Sequence, residues 1–139
     1  KLQLGQSIAS AGPVSERPKI ILTADSNGHF VTTGQMNGGT TTFLVDTGAT
    51  TIAMSKAEAK RLGISYINGR RGVSNTANGQ VMYYSIKLDT VKVGDVTLHQ
   101  IDAAVIDGGG MDITLLGMSF LNRLEMKRAG STLTLTKAF

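Results

Sequence analysis

Apolar and β-branched residues recur along this chain in short alternating runs, and turn residues punctuate them. HFVTTGQM (residues 29–36) runs into Asn37-Gly38-Gly39 and then into TTTFLV (40–45). Asn-Gly between two such runs predicts a tight hairpin, because a type I′ turn needs positive φ at both central residues. The same logic places a second turn at Asn78-Gly79, between RRGVSNTA and QVMYYSIKL, and a third at Gly94-Asp95, between TVKV and VTLHQI. Asp89-Thr90 reads as following the end of a strand, and STLTLTKAF (131–139) alternates as a terminal strand.

One stretch breaks the two-residue period. SKAEAKRLG (55–63) predicts a short helix, with Ser55 as N-cap, Glu58 closing a capping box and Gly63 as the stop. A further helical turn is predicted after Gly117, through MSFLNRL. Residues 1–18 hold both prolines, Pro13 and Pro18, and show no sustained period, so they read as a linker or N-terminal arm ahead of one domain over 19–139. No longer repeat appears. The pattern is that of an all-β domain with one or two short helices.

Composition narrows the picture without changing it. A chain of 139 residues, 41% hydrophobic, suffices for one core and falls short of two ordinary domains. Its net charge of +4 is a mild excess. Lys56, Lys60 and Arg61 fall on one helix face and Arg70-Arg71 reads as a loop pair. Neither group is interleaved with aromatic residues, so no nucleic-acid partner is expected. The absence of Cys removes disulfides, thiolate metal sites and a cysteine nucleophile. No apolar run of about eighteen residues is present. A start at Lys1 leaves room for an upstream signal or anchor.

The chemistry lies in FLVDTGATTIAMS (43–55). Asp46 ends an apolar run, where a carboxylate is costly unless something compensates it. Thr47, Gly48 and Ala49 follow, small residues that let backbones approach closely. Asp-Thr-Gly alone is compatible with a plain turn, and Asp89-Thr90 is a similar pair that lacks the glycine. Downstream, MDITLLGMSFL (111–121) places an apolar pair directly before Gly117. Competing chemistries find little support. A zinc hydrolase has only His29 and His99 to draw on, with no His-Glu-x-x-His. A serine elbow fails because Gly117-Met118-Ser119-Phe120 is followed by Leu121 rather than Gly. Gly108-Gly109-Gly110 lacks the Lys of a phosphate loop.

In the order GHFVTTGQMNG, FLVDTGATTIAMSKAEAKRLGI, TANG and LLGMSFLNRL, the chain resembles the bacterial retropepsin-like aspartic proteases of clan AA over residues 28–135. Through MDITLLGMSFL it is also similar to the retroviral-like domain of the eukaryotic DNA-damage-inducible ubiquitin shuttle proteins. The resemblance implies a closed, barrel-like domain with a flap hairpin and Asp46 as the catalytic residue. Thr47 would brace paired loops across a dimer axis, Gly48 would line the cleft and Ala49 would pack behind it. It implies Thr76, Ala77, Asn78 and Gly79 at the flap and substrate cleft, Tyr83 or Tyr84 on a flap strand, and Leu115, Leu116 and Gly117 packed behind the site. One departure stands out: Thr50 and Met118 occupy the positions where the viral enzymes pair an Asp with an Arg, so that ion pair is missing.

Peptide hydrolysis of this type needs two carboxylates sharing one water and one proton. The sequence holds one Asp-Thr-Gly, so the resemblance implies a homodimer acting on extended peptides or proteins, with no cofactor and no metal. It also implies a periplasmic location, tethered to the inner membrane by a segment upstream of Lys1. The alternative is a retropepsin fold kept as a catalytically weak or inactive dimerisation or peptide-binding module.

Overall fold

The turn residues set the frame of the molecule, seen in a computed structural model that describes residues 17–77 and 79–138. Strand β1 (Lys19–Thr23) is followed by β2 (Val31–Met36) and β3 (Gly39–Val45). The β2–β3 turn has positive φ at Asn37 (50°) and Gly38 (86°), as a type I′ turn requires. Next come β4 (Ile52–Ser55), helix α1 (Lys56–Arg61) and three hairpin-linked strands, β5 (Arg70–Thr76), β6 (Gly79–Val93) and β7 (Val96–Asp107). The chain ends with β8 (Thr114–Leu116), helix α2 (Met118–Leu121), β9 (Leu124–Ala129) and β10 (Thr132–Lys137).

Strands β2-β3-β8-β4-β7-β6 are neighbours in that order, and β6 returns to β2 with Gly34 opposite Val93 and Met36 opposite Val91. The sheet is thereby a closed six-strand barrel, and β5 extends from β6 outside the ring. Closure removes sheet edges and fills the interior with side chains. Phe43, Met36, Ile52, Met54, Leu116 and Phe120 are fully buried there. The strands β1-β10-β9 form a separate three-stranded sheet. Residues at the end of the expected arm already join this body: Lys137 N–H donates to the Pro18 carbonyl and Arg17 donates to that of Ala138. Residues 1–16 and Asn78 lie outside the described residues.

Four local expectations are corrected. Arg70 and Arg71 open β5 rather than forming a loop. Thr76 pairs with Gly79, so the flap turn falls between them, one residue earlier than Asn78-Gly79. Asp89 and Thr90 lie inside β6, which runs unbroken to Val93. Burial there steps from Leu88 to Val91 and Val93, while β7 steps from Val96 and Leu98 to Ile101, Ala103 and Val105. Both strands change inward face at one level, where Gln100 holds a φ of 56°. Arg123 fixes this kink by donating to the carbonyls of His99 (2.7 Å) and Gln100 (2.8 Å).

The fourth correction concerns α1. Ser55 Oγ caps it by accepting from Glu58 N–H at 3.0 Å, and Gly63 and Ile64 close its far end by donating to Lys60 and Ala59 carbonyls. Glu58 does not reach back to complete the capping box. Its carboxylate instead takes a forked pair of bonds from Arg61, at 2.8 and 2.6 Å, and another from the hydroxyl of buried Thr41. A strong donor in the helix's own last turn and a buried hydroxyl together hold the carboxylate away from the N-cap.

The Arg61 bonds hold the Glu58 carboxyl below its usual range, with burial opposing and the Thr41 bond assisting. A lowered carboxyl pKa contributes stability above the unfolded-state pKa, and that stability is lost as pH falls through the folded one. Urea unfolding at a series of pH values is expected to show stability declining through the acidic carboxylate range, with a shallower decline in Glu58→Gln. An identical slope in the variant would contradict this role.

Candidate active site

Asp46 sits immediately beyond β3, where the chain leaves the barrel wall. Strand β3 runs parallel to β8, with Val45 opposite Leu116, and the Asp46 N–H donates to the Leu116 carbonyl at 3.1 Å. The chain then turns tightly. Gly48 N–H donates to Asp46 Oδ1 at 2.9 Å and Ala49 N–H to the Asp46 carbonyl at 3.1 Å. The carboxylate is thus oriented by backbone, and among the described residues its second oxygen accepts no hydrogen bond. Asp46 is half-buried, while Thr47 and Gly48 are exposed.

The loop is braced from behind by the segment that resumes after β8. Met118 N–H donates to the Ala49 carbonyl at 2.8 Å and Ser119 N–H to that of Thr50 at 2.9 Å. Met118 and Thr50 are thus each bonded to the other's chain neighbour, so backbone links the two segments within the chain. Ser119 adds a second tie: its hydroxyl donates to the Asp102 carbonyl at 2.7 Å and accepts from Ile52 N–H at 3.1 Å. That oxygen is engaged structurally. His99, for its part, offers its carbonyl to Arg123.

Gly117 makes the crossing possible. A Cβ at this position would lie 2.0 Å from the Thr51 carbonyl oxygen and 2.7 Å from that of Ala49. Both are backbone atoms that cannot swing aside. Leu116 is fully buried beneath the loop, and Leu115 lies opposite Ala53 on one side and Leu44 on the other. Leu116 and Gly117 therefore stand against the Asp46 loop, while Leu115 lies between β3 and β4.

A groove of about 380 Å³ opens beside this loop. Ala49, Thr50, Thr51 and Ala53 line it from the loop and β4, Ser74, Tyr83 and Ser85 from the β5–β6 hairpin, and Ala104 and Ile106 from β7. Among the described residues no charged side chain lines it. Of the flap residues expected from the sequence, Thr76, Ala77 and Gly79 lie at the hairpin's end, where Thr76 pairs with Gly79; Asn78 is outside the described residues. Both tyrosines fall on the hairpin but on opposite faces. Tyr83 lines the groove, whereas Tyr84 packs edge-on against Tyr66 at 5.1 Å between ring centroids. Ser74, Ser85, Ala104 and Ile106 were not singled out from sequence. Alternation from Tyr83 carries the signal for Ser85, but small residues in strands give no other sign of lining a cleft.

A family model described as gag-polyprotein putative aspartyl protease matches residues 32–123, which span the Asp46 loop, the hairpin and α2. The chain belongs to this aspartyl protease family. The crystal structure of a retropepsin-like aspartic protease from Rickettsia conorii is similar with a TM-score of 0.76 and 33% identity, covering 88% of this chain and 92% of that one. The barrel is a retropepsin-like fold. The retroviral protease-like domain of Ddi1 from Leishmania major is more remote, at 20% identity and a TM-score of 0.46 over 70% of this chain and 78% of its own, too loose a likeness to build on.

Two curated relatives carry no assigned activity. An uncharacterised protein from the cobV 5′ region of a Sinorhizobium species is 38% identical over 109 residues, 78% of this chain. Uncharacterised protein RP867 of Rickettsia prowazekii (strain Madrid E) is 34% identical over 113 residues, 80% of this chain. The chain spans about half the length of these relatives, 47% and 48%.

Gly117→Ala is expected to destabilise the protein by about 3 kcal/mol, the upper range for forcing atoms into a packed interior. It should also free the Asp46 loop. Chemical denaturation reads the first effect, and amide hydrogen exchange at Ala49 and Thr50 the second. A variant as stable as the parent, with unchanged protection, would refute the crossing.

Proposed function

We propose that the protein is an aspartic endopeptidase whose active unit is a homodimer, each copy supplying one Asp46 carboxylate to a shared water. The observation that carries this reading is a carboxylate oriented by backbone bonds, one oxygen accepting none among the described residues, in a loop whose following residues, Ala49 and Thr50, line an uncharged groove. A lone carboxylate cannot serve as base and acid in one step. Across a twofold axis the same residue serves twice. Thr47, exposed beside Asp46, is then the residue that meets its copy and braces the paired loops.

The mechanism follows from the pair. Two like charges at close range do not both ionise, so the dyad holds one proton, a behaviour established for aspartic proteases generally. The ionised carboxylate takes a proton from water as its oxygen attacks the peptide carbonyl carbon. The protonated carboxyl gives its proton to the carbonyl oxygen, producing a neutral tetrahedral diol. Collapse breaks the C–N bond, a proton passes to the leaving nitrogen, and the dyad returns to its one-proton state. The substrate lies extended beneath the β5–β6 hairpin, with main-chain hydrogen bonds holding it and the groove receiving a side chain. The periplasmic placement behind an upstream anchor belongs to the same proposal, and fractionation of cells producing the full-length protein tests it.

Asp46→Asn is expected to lower peptide cleavage by roughly 10³-fold or more while leaving the fold intact, since an amide oxygen still accepts from Gly48. A folded variant that cleaves a peptide library at the parent rate would refute the assignment.

A further inference from the structure

Tyr83 stands directly opposite Gly72 in the β5–β6 pairing. A Cβ built on Gly72 would lie 2.5 Å from both Cζ and Oη of Tyr83 and 2.9 Å from Cε1. The phenol is therefore laid across the hairpin with its tip over the Gly72 Cα, in space that any other residue would fill. Positive φ is not the reason for glycine here, since Gly72 is absent from the left-handed positions. The position uses the missing side chain for room alone.

That room faces the groove. Residues two apart on a strand share a face, so Ser74 lies on the side of Gly72 that carries the ring, and Ser85 on the side of Tyr83. Both serines line the groove together with Tyr83. Most of the other lining residues are small, with Ala49, Ala53 and Ala104 among them, and Tyr83 and Ile106 are the large ones. Where the ring rests decides how much space remains beneath the hairpin.

We infer that Tyr83 determines which substrate side chain the groove admits, and that Gly72 is the positioning residue that keeps its ring out of the way. Parked on Gly72, the ring leaves space for one bulky uncharged side chain of a peptide. A methyl group at residue 72 displaces the ring into that space. The nature of the ligand rests on the peptidase reading; the coupling between the two residues does not. The atoms in conflict belong to the far end of a rotatable side chain, and alanine suits a strand interior better than glycine, so Gly72→Ala is compatible with folding.

The test is a ladder of hexapeptides differing at one position, which carries Ala, Leu, Phe or Trp. Binding is measured by calorimetry to the full chain bearing Asp46→Asn, and cleavage kinetics with Asp46 in place. Each is repeated with Gly72→Ala, Tyr83→Ala and the double variant, whose thermal midpoints establish that they are folded. Gly72→Ala should weaken the Phe and Trp peptides about tenfold relative to the Ala peptide, the scale of a steric change in an apolar pocket. The loss should appear in Kd and KM with kcat little altered. Tyr83→Ala should remove this discrimination, and the double variant should match Tyr83→Ala, because nothing remains to be displaced. The inference is overturned if Gly72→Ala leaves the ladder unchanged, acts equally with and without the ring, or if no peptide binds any variant. Ladder binding that behaves as stated, with no cleavage by the Asp46 protein, would count against the peptidase reading and support the pocket.

Discussion

The site depends on the crossing of two chain segments at backbone contact. The strand that delivers Asp46 and the strand that ends at Leu116 run side by side, and the loop after one passes directly over Gly117. Hydrogen bonds from Asp46, Met118 and Ser119 amides close the crossing on both sides. At Gly117 the two backbones come so close that a Cβ would lie 2.0 Å from the Thr51 carbonyl oxygen, an approach that glycine alone allows. The arrangement converts a loop, ordinarily the most mobile part of a domain, into a rigid platform for one carboxylate. Rigidity matters to the proposed pairing, in which two such platforms would meet with little freedom in either.

The barrel supplies the second requirement, a groove of suitable shape next to the platform. Hairpin β6–β7 changes its inward face midway, at the level of Gln100, and so serves two purposes with one pair of strands. Its lower half fills the core with Val91, Val93, Val96 and Leu98. Its upper half pairs with β5 and presents Tyr83 and Ser85 to the groove. Arg123, on the turn after α2, ties the kink to the segment that braces Asp46. One short helical segment thus touches both the platform and the wall of the groove.

Much of this was legible from residue pattern, and the remainder was hidden for identifiable reasons. Asn37-Gly38 and Gly94-Asp95 marked their turns because positive φ restricts the choice of residue. Ser55 and Gly63 marked the ends of α1 for similar local causes. Asp46 and Gly117 were found together through family resemblance, since their contact joins distant parts of the chain. The flap turn was misplaced by one residue, and that small slip matters: a turn at Asn78-Gly79 would set Ser74, not Gly72, opposite Tyr83. The β6–β7 kink was missed because it lies in a strand whose residues alternate convincingly on either side of Asp89. The phase changes in β6 between Leu88 and Val91, and on the partner strand Gln100, left-handed and with its carbonyl held by Arg123, marks the level.

The central claim is that one carboxylate from each of two chains makes a single catalytic pair, and mixing tests it most directly. Active protein and Asp46→Asn protein are combined at varying ratios under conditions that let subunits exchange, with total protein held constant, and peptide cleavage is recorded. A shared pair predicts activity proportional to the square of the active fraction, because every mixed dimer is dead. Activity that falls in simple proportion to that fraction would mean that each chain works alone, and the paired-carboxylate account would be wrong.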